Sequence, residues 1–226
     1  MGLLFKKATK VIEVNNPFFD YYTLKVEIPP GFRWSPGQFT ILSFKVKFKG
    51  RHWHAFSIAS TMEEGYILFG TRTGEYPSGF KQCLKNLKAN DIVYLRGPIG
   101  GFGFCKRNKP IILFAGGIGI TPIFSHLKSN CKSNVETHII YSSSKAYLFK
   151  DEIDQFVSRN PFIRIKYTNG MEETQNVLSQ LVIEYGNNAS YYTAGSHRSI
   201  KGVKKFLRSH HIKRKNIFSN RFFGYN

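Results

Sequence analysis

A glycine-rich turn between an apolar run and a helical pattern constrains the fold more than any other segment. Residues 111–122 have the sequence Ile-Ile-Leu-Phe-Ala-Gly-Gly-Ile-Gly-Ile-Thr-Pro. Gly116, Gly117 and Gly119 permit unusual backbone angles and let backbone N–H groups approach a pyrophosphate. Pro122 suits the first turn of the helix that follows. Tight strand-to-helix turns also need glycine, but directly after an apolar strand the pattern favours a dinucleotide-binding turn.

The residues after this turn alternate between apolar strands and helical patterns. The predicted strands are Ile111–Ala115, Thr137–Tyr141, Phe162–Tyr167 and Ser190–Thr193. The predicted helices are a stretch that ends near Ser129, followed by Tyr147–Arg159, Thr174–Glu184 and Lys201–Ser209. Alternating buried strands and helices predict a doubly wound parallel sheet that is covered on both faces.

The residues before the turn have a different pattern. Apolar and polar residues alternate in short runs between turns rich in Asn, Pro and Gly, which is typical of antiparallel strands. The predicted strands are Lys10–Val14, Tyr21–Ile28, Phe39–Val46, Trp53–Ala59, Gly65–Thr71 and Ile92–Arg96, with a short helix at Phe80–Leu87. Six such strands predict a small antiparallel β-barrel. We expect a barrel domain over residues 1–107 and an α/β domain over residues 108–226.

The composition supports a folded protein and excludes several other classes. Of the 226 residues, 42% are apolar and 15% are aromatic, which is enough for a buried core. The longest mostly apolar stretch without charge, residues 110–124, is shorter than the ~18 apolar residues of a spanning helix, so we expect no membrane span. Cys83, Cys105 and Cys131 have neither metal-ligand nor redox spacing, which predicts no metal site and favours a reducing cytoplasm.

The chain is strongly basic, with a net charge of +19 and a pI of about 9.9. Its cations are scattered, and the densest group spans residues 201–215 on a predicted surface helix and the loop after it. We interpret most of this charge as a solvated face, with steering of an anionic substrate or an acidic partner as the alternative. Because the sequence contains no nucleic-acid-binding motif, we expect no nucleic-acid partner.

Three further motifs precede the glycine turn: Pro36–Phe39 (PGQF), His54–Ser57 (HAFS) and Gly97–Phe102 (GPIGGF). Each alone is compatible with turn chemistry or core packing. In this order, and followed by the glycine turn, they resemble the ferredoxin–NADP reductase superfamily. The later segments that agree with the resemblance are Asp151-Glu152, Tyr192–Ser196 and Phe222–Tyr225. The resemblance covers nearly the whole chain.

The resemblance implies a flavin-dependent oxidoreductase with FAD in the barrel and NADH or NADPH on the parallel sheet. Hydride would pass from nicotinamide C4 to flavin N5, and the electrons would then pass to an acceptor. That acceptor is an iron–sulfur or other acidic electron-transfer protein, a ferric chelate, a quinone or oxygen. Two alternatives stay open: a flavin reductase that uses flavin as a diffusible substrate, and a flavoprotein without turnover.

The HAFS segment departs from the family pattern, which is Arg-x-Tyr-Ser. The resemblance assigns residues 54–57 to flavin binding: His54 in place of the phosphate-binding Arg, Ala55 between the two contacts, and Phe56 in place of the stacking Tyr. Ser57 is retained and would act catalytically near flavin N5. The His-x-Phe-Ser version is more similar to the ferric-reductase branch.

The resemblance also assigns cofactor contacts outside that strand. These residues are Ser78, Gly116, Gly117, Gly119, Thr121, Pro122, Ser143, Ala194, Gly195 and Tyr225. Ser78 would bind the flavin pyrophosphate, with Pro77 in the aligned position or a simple helix cap by Ser78 as alternatives. Ala194 stands where most members have the Cys of Cys-Gly-Pro. Tyr225 would lie over the flavin ring, unless the final aromatics only anchor the last strand.

The nicotinamide preference depends on the segments after two strands. Residues 142–145 have the sequence Ser-Ser-Ser-Lys, which is similar to NADP-specific reductases. Those enzymes also carry Ser-Arg where this chain has Thr168 and Asn169. Because the bidentate cation for a 2′-phosphate is missing, the sequence slightly favours NADH.

Overall fold

The structure is a computed structural model that describes residues 6–45, 52–101, 103, 109–129 and 134–221. The chain divides into two compact units, Met1–Gly103 and Phe104–Asn226. Among the described residues, no helix is both long and apolar enough to cross a membrane.

The first unit is an antiparallel barrel, as predicted. Its described elements are β1 (Lys7–Phe18), β2 (Tyr21–Val26), β3 (Phe39–Ser43), β4 (Trp53–Ser57), β5 (Ile67–Arg72), α1 (Gly79–Lys85) and β6 (Ile92–Ile99). The strand order is β4-β3-β6-β1-β2-β5, so β4 and β5 are the two edges of the sheet. An isolated bridge between Ile58 and Phe69 joins these edges and closes the barrel.

The barrel core is lined by the inward faces of these strands and by α1. Phe80 and Leu84 of α1 are buried among Leu42, Phe56 and other apolar side chains from the strands. The helix therefore contributes to the core of the unit.

The second unit is an α/β domain, again as predicted. Its described elements are β7 (Ile111–Gly116), α2 (Ile120–Ser129), β8 (Thr137–Ser142), α3 (Lys150–Ser158), β9 (Ile163–Thr168), α4 (Gly170–Tyr185), β10 (Ser190–Gly195), α5 (His197–Ser209) and β11 (Ile217–Arg221). The strand pairs are parallel, in the order β11-β10-β7-β8-β9. From β7 the chain adds β8 and β9 on one side, and it then crosses back to place β10 and β11 on the other side of β7. The strand order therefore switches between β7 and β10. In open α/β sheets, ligands bind outside the carboxyl ends of the strands at such a switch point.

Several boundaries differ from the prediction for local reasons. Helix α5 begins at His197, four residues before the predicted start, because the Ser196 hydroxyl caps it by accepting from Ser199 N at 3.2 Å. Helix α3 begins at Lys150, after the predicted start, because Phe149 has a φ of 62° and interrupts helical geometry. Strand β11 was not among the predicted strands.

Candidate functional site

The three motifs of the barrel meet around β3. Gln38 Nε2 donates to the Gly100 carbonyl at 2.9 Å, and Ile58 N donates to the Gln38 carbonyl at 3.0 Å. A Cβ on Gly100 would lie 2.8 Å from Phe39 Cε1, so the Phe39 ring packs directly on that glycine. The PGQF and GPIGGF motifs thus support the end of β4, which carries HAFS.

Within β4, the four predicted flavin contacts point to two sides. His54 and Phe56 pair with inward-facing positions of β3, and Phe56 is only 4% exposed. The Phe80 ring centroid lies 4.5 Å from that of His54 and 6.0 Å from that of Phe56. Ala55 and Ser57 alternate with them and face the other side. The structure therefore brings His54 and Phe56 to α1 and separates both from Ser57; all four binding roles stay predictions.

Ser78 caps α1, which is one of the alternatives left open by the sequence. Its Oγ accepts from Lys81 N at 3.4 Å. Sequence reasoning missed Lys81 itself, whose side chain is buried on the inner side of α1 together with Phe80 and Leu84. The signal was present, because a lysine next to Phe80 and three residues before Leu84 falls on the apolar side of a helix.

At the carboxyl edge of the parallel sheet, four predicted residues form one contact. A Cβ on Gly119 would lie 2.1 Å from the Ala194 carbonyl oxygen, and one on Gly195 would lie 3.0 Å from the Gly116 oxygen. The glycine turn after β7 and the end of β10 are therefore packed backbone to backbone. Gly117 has a φ of 54° and no atom within 4 Å of an added Cβ, so the turn has an open side.

Thr121 and Pro122 lie at the start of α2 with buried side chains. The Thr121 hydroxyl donates to the Ile118 carbonyl at 2.8 Å and so closes the turn from within. The structure gives both residues a supporting position, and a direct cofactor contact for either stays a prediction.

The ends of β8 and β9 lie side by side and include Ser143. Ser143 N donates to the Thr168 carbonyl at 3.0 Å. At the next position, Asn169 N donates to Glu173 Oε2 at 2.5 Å. A carboxylate in the first turn of α4 is therefore attached to the segment where NADP-specific relatives would need a cation.

Tyrosine rings support the loop after β8. The Tyr147 centroid lies 5.1 Å from that of Tyr141 and 4.8 Å from that of Tyr167, both in edge-on geometry. Tyr147 OH donates to the Thr168 carbonyl at 3.0 Å, which attaches the loop to β9. Burial first, and then the hydrogen bond to Asp154, raise the pKa of Tyr167, so its phenol stays protonated and donates to that carboxylate.

Tyr225, the predicted flavin-covering residue, lies outside the described residues.

Known proteins resemble this chain in sequence and in fold. No protein-family model matches the chain. The toluate 1,2-dioxygenase electron transfer component of Pseudomonas putida is 24% identical over 200 residues, covering 83% of this chain and 58% of that protein. The FAD/NAD-binding domain of nitric oxide dioxygenase from Vibrio cholerae O1 biovar El Tor superposes with a TM-score of 0.82 at 18% identity, over 96% of this chain and 98% of that one. Ferredoxin–NADP⁺ reductase from Plasmodium falciparum superposes with a TM-score of 0.79 at 20% identity, over 96% of both chains.

The chain has the ferredoxin–NADP reductase fold. The two matching structures cover both units, so the resemblance seen in the sequence is confirmed for the fold of both halves. The chain spans 38% of a flavohemoprotein, 58% of the toluate dioxygenase electron transfer component and 39% of a naphthalene dioxygenase reductase component, all from Pseudomonas putida. Those relatives are therefore longer proteins in which a region similar to this chain is one part.

Proposed function

We propose that this chain is an NADH-dependent flavin oxidoreductase that binds FAD in the barrel unit. The observation that carries the proposal is the backbone contact of the turn at Gly116–Gly119 with Ala194 and Gly195. It forms a glycine-lined edge at the switch point of a parallel sheet, and the chain also contains an antiparallel barrel with a HAFS strand.

The residues at the sheet edge fit a dinucleotide. Gly116 and Gly117 are half-buried, and the open side of Gly117 leaves room for a ligand that a side chain would fill. Backbone N–H groups at a strand-to-helix turn attract phosphate oxygens. Ser196 and Ser199 lie at the start of α5, where Ser199 Cβ is 3.2 Å from the position of a Cβ on Gly116. Hydroxyl groups therefore border the same turn.

The residues of β4 and α1 fit a flavin dinucleotide. The His54 imidazole packs on Phe80, which lies in the first turn of α1, and Ser78 caps the same helix. Imidazole and hydroxyl donors suit phosphate oxygens. Phe56 supplies an aromatic ring on the same side of β4 as His54, while Ser57 faces the other side and is nearly buried.

A bound flavin would supply the chemistry by accepting a hydride at N5 from the nicotinamide and releasing electrons to the acceptor. The chain's own residues would position the flavin and the nicotinamide and would polarise the reacting atoms. The rigid contact of Gly119 with Ala194 holds the nucleotide-binding turn in place, and a donor at Ser57 is fixed by its strand, so no reorganisation is needed when charge develops.

We further propose that the acceptor is an acidic electron-transfer protein. Exposed cations lie along α5 and on the turn after it: Arg198, Lys201, Lys205, Arg208, Lys213, Arg214 and Lys215. Such a surface steers an anionic partner. Relatives are named as electron transfer or reductase components of dioxygenases, which pass electrons to a partner protein. A cytoplasmic location stays a prediction.

The test of the proposal is the identity of the flavin. We expect the purified chain to carry, or to take up, one FAD, because its donors at His54 and Ser78 suit a diphosphate that FMN lacks. Mass analysis of the flavin released by heat measures this directly. Release of FMN alone, or no flavin after reconstitution with micromolar FAD, would contradict the proposal.

The two alternatives separate in the same preparation. A chain that is colourless as purified, but reduces added riboflavin with NADH, would be a flavin reductase, which the replacement of the phosphate-binding arginine by His54 favours. A yellow chain whose flavin is not bleached by NADH or NADPH without oxygen would be a flavoprotein without turnover.

We expect NADH to be preferred over NADPH, and Glu173→Gln to reduce that preference. A 2′-phosphate near Asn169 would meet the Glu173 carboxylate bound to the backbone there. Removing one like charge at ~4 Å in a wet site is worth about 1 kcal/mol, so kcat/KM for NADPH relative to NADH should rise about 5-fold. Glu172→Gln removes a charge from the same turn and is the matched control. An equal change of this ratio in both variants would show that the nicotinamide preference depends on the net charge of the turn and not on the contact of Glu173 with Asn169.

A further inference from the structure

One outer face of the barrel unit carries apolar side chains that are open to solvent. Ile12 of β1, Trp53 of β4 and Ile92 of β6 are 40%, 43% and 46% exposed. Single apolar side chains are ordinary at a protein surface, whereas a contiguous group of them marks an interaction site. The register of the strands shows that these side chains form such a group.

The register places a row of side chains across four strands. Tyr94 of β6 pairs with Ser43 of β3, and Ser43 pairs with Trp53 of β4. Ile92 lies two residues before Tyr94 on the same face, and it pairs with Lys10 of β1. Opposed side chains in a sheet lie about 5 Å apart, so each of these residues is a neighbour of the next. The residues that alternate with them on β3 and β6 are buried in the barrel core: Leu42, Val93 and Leu95.

A bulge in β1 adds Ile12 to this outward face. The register between β1 and β2 shifts between Val11 and Glu13, so that Ile12 is the extra residue of the bulge. Val11 is buried in the core, whereas Ile12 is exposed and lies two residues after Lys10. The outer apolar patch is therefore defined by Ile12, Trp53, Ile92 and Tyr94.

The exposed cations beside the outer apolar patch are lysines. Lys10 lies opposite Ile92, Lys45 lies two residues beyond Ser43, and Lys88 lies in the turn before β6.

Two acidic residues also adjoin the patch, and each already has a partner. Glu13 Oε1 lies 3.5 Å from Lys25 Nζ, and Asp91 Oδ2 accepts from Lys88 N at 2.7 Å. The border of the patch therefore carries more positive than negative charge.

The composition of the patch distinguishes between three kinds of occupant. Each copy of the chain has a net charge of +19, so a second copy would bring lysines against lysines. Lys10 lies among the apolar side chains, and lysine is depleted in interfaces between proteins. At a bilayer surface, in contrast, a lysine keeps its stem on the apolar side and its ammonium among the headgroups. Tryptophan and tyrosine are enriched at the same depth.

We propose that the outer apolar patch binds peripherally to a membrane surface that contains anionic lipids. Ile12, Trp53 and Ile92 enter the boundary between headgroups and acyl chains, and Lys10 and Lys45 contact the lipid phosphates. A patch of a few side chains buries little apolar area, so the binding is reversible and needs the ionic contribution as well. The proposal does not depend on which flavin or nicotinamide the chain binds.

The test uses the intrinsic fluorescence of the full chain, which contains two tryptophans. Trp34 is 6% exposed and donates to the Ser60 carbonyl at 3.0 Å, so only Trp53 should respond to a lipid surface. Vesicles of phosphatidylcholine with about 30% phosphatidylserine should shift the emission to shorter wavelength, and vesicles of phosphatidylcholine alone should not. Raising the salt to about 1 M should remove most of the binding.

Substitutions test whether the patch makes the contact. Ile12→Ser together with Ile92→Ser should weaken partition into anionic vesicles about 10-fold or more, because less apolar surface leaves water. Lys10→Gln should weaken it about 5-fold, as expected for one lysine at an anionic surface. The matched controls are Phe19→Ser, an exposed apolar residue between β1 and β2, and Lys205→Gln, an exposed cation on α5. Both should bind within about twofold of the wild type.

Three results would overturn the proposal. The first is a wild-type chain that does not sediment with anionic vesicles, or that does so without a change in Trp53 emission. The second is an equal loss of binding in Lys10→Gln and Lys205→Gln, which would assign the attraction to net charge. The third is a dimer that the double isoleucine variant dissociates, which would make the patch an interface between two copies. If the double variant does not fold, Lys10→Gln and the Trp53 emission decide the question.

Discussion

Gly119→Ala is expected to destabilise the nucleotide-binding unit by about 3 kcal/mol or more, because its Cβ would overlap backbone that cannot move aside. The added atom would lie 2.1 Å from the Ala194 carbonyl oxygen and 2.5 Å from its carbon. Relief requires α2 to separate from β10, which also opens the glycine turn. In thermal unfolding of the full chain, the Tm should fall by about 10 °C.

Gly202→Ala is the matched control, because its Cβ would meet the flexible end of Met171 at 3.0 Å. Glycine in a helix interior costs ~1 kcal/mol relative to alanine, so this variant should be neutral or slightly more stable. A Gly119→Ala protein with wild-type Tm would show that the turn and β10 are not in rigid contact.

Ser57→Ala is expected to slow reduction of the bound flavin by NADH about 100-fold, the size of effect seen when a preorganised donor is removed from a reacting centre. Flavin affinity should change far less, since a single neutral hydrogen bond contributes about 1 kcal/mol. Rapid mixing of NADH with the flavin-loaded chain without oxygen measures the rate, and fluorescence titration measures the affinity.

Ser60→Ala supplies the contrasting control for that experiment. Ser60 is also buried, and its Oγ accepts from Leu68 N at 3.0 Å, so its loss should lower stability and leave the reduction rate alone. A reduction rate in Ser57→Ala within twofold of the wild type would make Ser57 a strand residue with no part in the chemistry.

The period of the apolar residues was sufficient to predict both units. The continuous apolar run Ile111–Ala115 reflects a strand that is buried on both faces, and the sequence records such burial directly. Strand β11 was missed because Ile217–Arg221 is short and has only two apolar residues, and an edge strand needs no more. The contact at Gly119 could be predicted only in part. The sequence indicated that the turn needs glycine. It did not indicate the neighbour, Ala194, which is 75 positions further along the chain and is brought there by tertiary packing.

The side chains of the candidate site were harder to predict than the backbone. Phe56 matches a stacking residue by alignment, but its burial against Phe69 and Phe80 depends on how the barrel closes. Lys81 was overlooked because charged residues are expected at the surface, although its position beside Phe80 and three residues before Leu84 falls on the apolar side of α1. Residue type can be carried over from a motif, whereas orientation requires the three-dimensional contacts.

The isolated bridge between Ile58 and Phe69 has a kinetic consequence. A barrel closed along a full ladder must break a row of hydrogen bonds to admit or release anything between its edges. Here the seam between β4 and β5 can widen with the loss of little regular hydrogen bonding, so local opening is far less costly than global unfolding. Amide hydrogen exchange at β4 and β5 should therefore be faster than at β1 and β6, which lie in the interior of the sheet.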